Sequence, residues 1–225
     1  MICLGNFYYI SSMIIRCYIT HYNRNNDLER VYNHLTSQEI QPIIHDDGSD
    51  IVPNYPNVRT QPNRGKHGFW KTWNEILVDC ESNEADIYLF MPDDFHNIDI
   101  EKIKHIHATI KGAYAFNIIN DGRTKCWVNK ACLDMGDTYS IGFVDCGFFC
   151  NRETLQKIGF FMKRPPSKWF ERGENMSSGV GMMLSKRMYE QRIKIYKPKV
   201  SLASHGNHES KMHKDERKNT PLISL

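Results

Sequence analysis

The sequence predicts an α/β fold, with a mostly parallel central sheet and helices on both of its faces. Three observations predict it. Strand-like runs alternate with stretches of helical periodicity through the first half of the chain, the pattern of βαβ units. The run at residues 85–91 is apolar apart from Asp86, as a strand covered on both faces must be. Polar clusters follow the ends of four runs, and in open α/β sheets ligands sit beyond the carboxyl ends of the strands.

Residues 14–20 are β-rich and of strand length. Asn26 is the expected N-cap of a helix in which Leu28, Val31, Tyr32 and Leu35 recur at helical spacing. A short second strand at 42–45 runs into Asp46-Asp-Gly-Ser-Asp50, and residues 58–61 make a third. Residues 66–80 read as a helix with Phe69, Trp73, Ile76 and Leu77 on one face. The central strand follows, then a helix at 100–110 and a strand at 113–119. Beyond Gly122 the pattern loosens into a strand at 144–150, a short helix NRETLQKIG, and a loop MKRPPSKWFERGENMSSG. A helix at 180–191 and an alternating strand at 193–203 complete the domain. We expect an N-terminal extension at 1–12, with Met13 as an alternative start, one domain at 13–210, and a polar basic tail at 211–225.

At 225 residues, 40% apolar and 12% aromatic, the chain has the length and composition of one large domain. Its net charge is +3, yet residues 186–218 alone hold ten Lys/Arg against four Asp/Glu. An acidic body with a basic end suits an anionic ligand or partner. The seven cysteines show neither a disulfide framework nor zinc spacing, which fits a reducing compartment, and Cys146 and Cys150 read as core thiols. The apolar N-terminus is interrupted by Gly5, Asn6, Ser11 and Ser12, so no membrane span is expected and a cytoplasmic location is.

The central strand ends YLFMPDDFH, with two adjacent carboxylates. Adjacent carboxylates repel each other and resist desolvation. A divalent cation would compensate them; a solvated turn is the alternative.

Taken in order, residues 14–24 and 42–50, then PNRGKHG, ADIYLFMPDDF, DCGFFCNRETLQKIG and IKIYKPKVSLASH, resemble the GT-A glycosyltransferases of the family-two-like group. The resemblance spans residues 14–210. It implies a Rossmann-like nucleotide-binding fold, a nucleotide-sugar donor (a UDP-sugar foremost), and Mn2+ or Mg2+ bridging the diphosphate to the acidic motif. It implies Asp94 as a metal ligand with Asp93 beside it, although Pro92 stands where the family's Asp-x-Asp motif has its first acid. His205 matches the C-terminal histidine that completes the metal shell in many members, and His208 lies near it. Asp46 and Asp47 resemble the acidic pair that holds uracil or ribose; Thr20, Tyr22, Arg24, Asn63, Arg64 and Gly65 fall where base and phosphate contacts are expected. A turn of ordinary composition and solvated surface residues are the alternatives for these positions.

The catalytic base departs from the family. Inverting members place Glu-Asp at the start of the late helix, and here that place falls on Val180-Gly181, neither of which takes a proton. The candidates are Asp145 on the preceding strand, then Glu171 and Glu174 in the loop. Trp169 in that loop is a candidate stacking platform for a sugar or base, or a loop anchor. The acceptor is a glycan, or DNA carrying hydroxymethylated pyrimidines as in phage enzymes. For DNA, Lys186, Arg187, Arg192, Lys211, Lys214, Arg217 and Lys218 would neutralise phosphates. Two rivals remain: a nucleotidyltransferase, whose glycine-rich phosphate loop THYNRNND lacks, and a non-catalytic nucleic-acid-binding protein.

Overall fold

The computed structural model describes residues 12–120, 133–144, 147–166 and 179–206. Its first half runs β1 (Ile15–His21), α1 (Asn25–Thr36), β2 (Ile43–Asp46), β3 (Val58–Thr60), α2 (Gly65–Ser82), β4 (Ile87–Pro92) and β5 (Phe95–His96). The second half runs α3 (Ile100–Thr109), β6 (Tyr114–Asn117), β7 (Leu133–Asp134), β8 (Thr138–Ile141), β9 (Phe148–Asn151), α4 (Arg152–Ile158), α5 (Val180–Glu190), β10 (Lys194–Pro198) and β11 (Ser204–His205). Nine strands form one sheet in the order β3-β2-β1-β4-β9-β6-β10-β8-β7. All of them except β8 and β9 share one direction, so the sheet is mostly parallel as expected.

Strand alternation builds two cores, one on each face. Cys17 and Ile19 of β1 and Ile87, Leu89 and Met91 of β4 pack with Leu28, Val31 and Leu35 of α1 and Ile100 and Ile103 of α3. Tyr18, Tyr88 and Phe90 point the other way, onto Trp73, Ile76 and Leu77 of α2 and Leu184 and Met188 of α5. There Phe90 lies 5.7 Å from Tyr18, 5.2 Å from Trp73 and 4.9 Å from Phe148, ring centre to ring centre. A strand buried on both faces has no polar side to show, which is why β4 reads as an almost unbroken apolar run. Cys17, Cys80 and Cys150 are free, buried thiols; Cys146 lies outside the described residues.

Three elements differ from expectation. The helix α1 is capped at Arg24, not Asn26: the Arg24 carbonyl accepts the first amides, from Asp27 at 3.0 Å and Leu28 at 2.9 Å. The alternating run at 193–203 is not one strand. β10 stops at Pro198, the Leu202 amide turns to Ile118 O at 2.8 Å, and β11 joins β5 in a separate two-stranded sheet. The strand expected at 144–150 runs from Phe148 to Asn151, antiparallel to both β4 and β6. Its entry needs a glycine, because a Cβ on Gly147 would fall 2.1 Å from the Phe95 ring.

His45 on β2 is fully buried beside Tyr18, and neither ring nitrogen has a hydrogen-bond partner. Burial, helped by the nearby Arg59 charge, lowers its pKa to about 4. In the unfolded chain the imidazole takes a proton near pH 6.5, so between those values the unfolded state binds more protons and stability falls as pH drops. His45→Leu removes this term. We expect the stability difference between wild type and His45→Leu to move by about 2 kcal/mol in the mutant's favour between pH 7 and pH 4.5, measured by urea denaturation.

Candidate functional site

The carboxyl ends of β3, β2, β1 and β4 lie side by side, because those four strands are adjacent and parallel. Register aligns their tips: Thr20 pairs with both His45 and Pro92, and His21 pairs with Asp46. Each of the four polar clusters read from the sequence therefore opens on one edge of the sheet.

Asp93 and Asp94 follow β4 and are 4% and 2% exposed. Asp93 is turned back onto β1. Its Oδ2 lies 2.8 Å from His21 Nδ1 and accepts from the Tyr22 amide at 3.3 Å, while Oδ1 accepts from Arg24 Nη1 at 3.2 Å. The other His21 nitrogen lies 2.8 Å from Asn25 Oδ1, and the Asn25 amide nitrogen donates to Ile51 O at 3.2 Å. With its oxygen turned to the ring, Asn25 accepts from His21 Nε2–H, and Nδ1 faces Asp93. Burial pushes the Asp93 carboxyl above its ordinary pKa, and His21 and Arg24 pull against that shift.

Asp94 is held differently. Arg24 Nη1 donates to its Oδ2, and its Oδ1 is buried without a partner. Burial disfavours the Arg24 charge, but Asp93 and Asp94 outweigh it and hold the guanidinium above its ordinary pKa. His205 Nε2 stands 3.6 Å from the same Asp94 Oδ2. The small β5–β11 sheet delivers it: His205 pairs with Phe95, its ring meets the Phe95 ring edge-on at 5.4 Å, and the Gly206 amide donates to Asp94 O at 2.7 Å. Among the described residues no three His, Cys, Asp or Glu side chains converge on one point. The pair present nevertheless suits a hard divalent cation, which takes one or two protein ligands and fills its shell with phosphate and water oxygens. The unpartnered Asp94 Oδ1 is an oxygen of the right kind in the right place.

Two strands along from β4, the β2 turn divides its two acids. Asp46 is spent on the turn, accepting from the Ser49 hydroxyl at 2.5 Å and the Ser49 amide at 3.3 Å. Asp47 accepts the Arg64 amide through Oδ1 at 3.4 Å, and its Oδ2 is buried without a partner. Burial raises the Asp47 carboxyl above its ordinary pKa, against the pull of Arg64. The Arg64 guanidinium reaches Glu75 through Nη2 at 2.6 Å, and its buried Nη1 has no partner. An orphan acceptor on Asp47 and an orphan donor on Arg64 thus follow the ends of β2 and β3. Asn63 fixes the entry to α2, its Oδ1 accepting from the Gly65 amide at 2.7 Å. Asn23 stitches the β1 and β2 turns together: its amide donates to Ser49 Oγ at 2.8 Å, and its Oδ1 accepts the Asp50 amide at 2.8 Å.

The structure therefore gathers Thr20, Tyr22, Arg24, Asp46, Asp47, Asn63, Arg64, Gly65, Asp93, Asp94 and His205 around one strand edge. Asp145, Glu171, Glu174, Trp169 and His208 lie outside the described residues. The sequence reading missed His21, Asn25 and Ser49, which hold the acids in place. The signal for His21 was available: it is the last residue of β1, and its strand partner is Asp46.

No protein-family model matches the chain, and no curated protein matches it in sequence. Solved structures do. One is a mycobacterial protein, with a TM-score of 0.56 and 13% identity over 91% of this chain and 71% of the other. Another is glucosyl-3-phosphoglycerate synthase from Mycobacterium tuberculosis, in complex with Mn2+ and UDP-glucose, with a TM-score of 0.53 and 13% identity over 91% of this chain and 75% of the other. The same synthase with Mg2+ and UDP gives 0.53 and 12% over the same shares. At this identity the likeness is one of fold: the chain has the GT-A architecture.

Gly48 controls how closely the two turns approach. Its φ is +74°, and a Cβ there would fall 2.5 Å from the Asn63 amide nitrogen and 2.9 Å from Gln61 O, both backbone atoms. Gly112 has a similar φ of +75° with open space around it. Gly112→Ala should cost about 1–2 kcal/mol, the price of the left-handed backbone alone. Gly48→Ala should cost more, since backbone must also move, and urea midpoints of the two variants measure the difference.

Proposed function

We propose that this protein is a metal-dependent glycosyltransferase that moves a sugar from a nucleotide donor, a UDP-sugar foremost, to an acceptor hydroxyl on a saccharide. One observation carries the reading: buried Asp94 holds an unpartnered oxygen at the tip of the central strand, with His205 brought to it from the far end of the chain. The likeness in fold to a synthase solved with Mn2+ and UDP-glucose supports it.

In this reading Asp94 and His205 hold Mn2+ or Mg2+, which when bound would act as a Lewis acid on the diphosphate leaving group. Asp47 and Arg64 offer an acceptor and a donor to the nucleoside, which presents ring N–H and carbonyl groups and ribose hydroxyls. Asp93 keeps its place through His21 and Tyr22. Asp145 is our choice for the base that takes the acceptor proton. What supports it is its neighbour: Val144 abuts the start of α5, where a Cβ on Gly181 would lie 2.8 Å from Val144 O, and its amide is held by Ser185 Oγ at 2.9 Å. The first turn of α5 has no acidic residue of its own. A saccharide acceptor is favoured over DNA because two of the basic residues that DNA would need are engaged within the fold. Lys186 pairs with Glu190 at 3.7 Å, and Arg187 donates to Ile158 O at 3.4 Å.

Thermal shift tests the donor site. A ligand at a hundredfold its Kd stabilises by about 2.7 kcal/mol, so UDP with Mn2+ should raise Tm by about 5–10 °C. GDP, CDP or ADP should do less, and Asp94→Asn should abolish the metal-dependent part. Stabilisation by duplex DNA with no response to any nucleotide would instead favour the nucleic-acid-binding reading. In a sugar-transfer assay Asp145→Asn should lower kcat by about 10²–10⁴-fold with UDP binding intact, and Glu171→Gln and Glu174→Gln should change it far less.

A further inference from the structure

We propose that Arg24 is a built-in counter-cation of the acidic motif, with which a divalent metal must compete, so that metal binds weakly until the nucleotide diphosphate draws the arginine away. This rests on the reading of Asp94 and His205 as the metal pair and adds a regulation to it. The geometry is specific. A single Arg24 nitrogen, Nη1, bonds both Asp93 Oδ1 and Asp94 Oδ2, and His205 Nε2 approaches that same Asp94 oxygen to 3.6 Å. The Asp94 oxygen that faces His205 is the one the guanidinium occupies, so a metal held between Asp94 and His205 either takes that oxygen or sits on the open Oδ1 of the same carboxylate, directly beside the bound guanidinium. Two cations on one carboxylate oppose each other in a site where the Asp94 side chain is 3% exposed and the Arg24 side chain 11%.

Asp93 does not depend on Arg24. It keeps His21 Nδ1 at 2.8 Å and the Tyr22 amide at 3.3 Å, so the guanidinium can leave without stranding a buried charge there. Asp94 would exchange one cation for another. The released arginine needs a new anion, and a planar guanidinium is matched to a diphosphate. Its backbone stays fixed as the cap of α1, where its carbonyl accepts two amides, so only the side chain has to swing. The three charges form a relay: the nucleotide takes Arg24, Asp94 is freed, and metal affinity rises. The reciprocal follows from linkage, and metal then tightens nucleotide binding by the same factor.

The test uses Mn2+ alone, followed by electron paramagnetic resonance of the free ion. Arg24→Met should bind Mn2+ at least about tenfold more tightly than wild type, because the competing charge is gone. Arg24→Lys, which keeps a cation, should stay close to wild type. Adding UDP should tighten Mn2+ strongly in wild type and much less in Arg24→Met. Mn2+ affinity in Arg24→Met equal to or weaker than wild type would overturn the proposal, since Arg24 would then organise Asp94 and not compete for it. Should Arg24→Met give no cooperative melt, Arg24→Gln keeps a donor to Asp94 without the charge and carries the same expectation and the same overturning result. A complete lack of response to UDP would remove the donor-site reading, while the comparison of Mn2+ affinities would still decide the role of Arg24.

Discussion

Compensation of buried carboxylates at one edge of the sheet is the constraint on which the rest of the structure depends. Asp46, Asp47, Asp93 and Asp94 are each at most 4% exposed, and all four lie at the carboxyl ends of β2 and β4. Carboxylates out of water must be paired, hydrogen-bonded or protonated. The chain meets this locally at Asp46 with Ser49, and across strands at Asp93 with His21, Tyr22 and Arg24. At Asp47 and Asp94 it meets it only in part, and one oxygen of each is left over. A fold that satisfies half of a set of adjacent acids and leaves the rest open is organised for a ligand that brings the missing positive and hydrogen-bonding partners.

The sheet makes this arrangement possible by separating support from chemistry. β1 and β4 are covered on both faces by independent cores, so their backbones are fixed and their tips are free to carry polar groups. The antiparallel β9 sits between β4 and β6 and divides the sheet. On one side of it lie the strands whose ends carry the acids; on the other lie β6, β10 and the β8–β7 hairpin. Val144, at the approach to β9, packs against the start of α5, so the second half of the chain reaches the strand edge from the opposite side.

Periodicity made most of the first half legible. Leu28, Val31 and Leu35 gave α1, Phe69, Trp73, Ile76 and Leu77 gave α2, and the apolar run ending at Met91 gave β4, because in each the buried face repeats at the period of its element. What escaped was set by distant partners. Residues 193–203 alternate like one strand, yet the chain leaves the sheet after Pro198, because Leu202 is drawn to Ile118 and Ser204 to His96. Neither partner is near in sequence. The direction of β9 is likewise invisible in FFCN. At the site the acids themselves were readable as charges ending apolar runs, but their division of labour was not. Asp46 and Asp47 are neighbours of equal chemistry, and only the backbone geometry of the Gly48 turn decides which meets Ser49 and which meets the Arg64 amide.

In the proposed reading, Pro92 leaves the site with a single carboxylate beside the histidine. It occupies the strand position that pairs with Thr20, and it brings no carboxylate to the place where the resembling enzymes have an acid. Asp93 is less free to substitute, because its Oδ2 is held by His21 and the Tyr22 amide, and its Oδ1 by Arg24 for as long as the guanidinium stays. In this reading that leaves Asp94 as the single anionic ligand at the β4 tip, with the imidazole of His205 as the second donor. A site with one negative charge attracts a divalent ion less strongly than one with two, and the Arg24 guanidinium lowers the attraction further. In the same reading the charge that completes the site comes with the ligand, and a diphosphate would supply it. On this account the proline, the histidine and the arginine are three parts of one design, in which the ion and the nucleotide are held well only together.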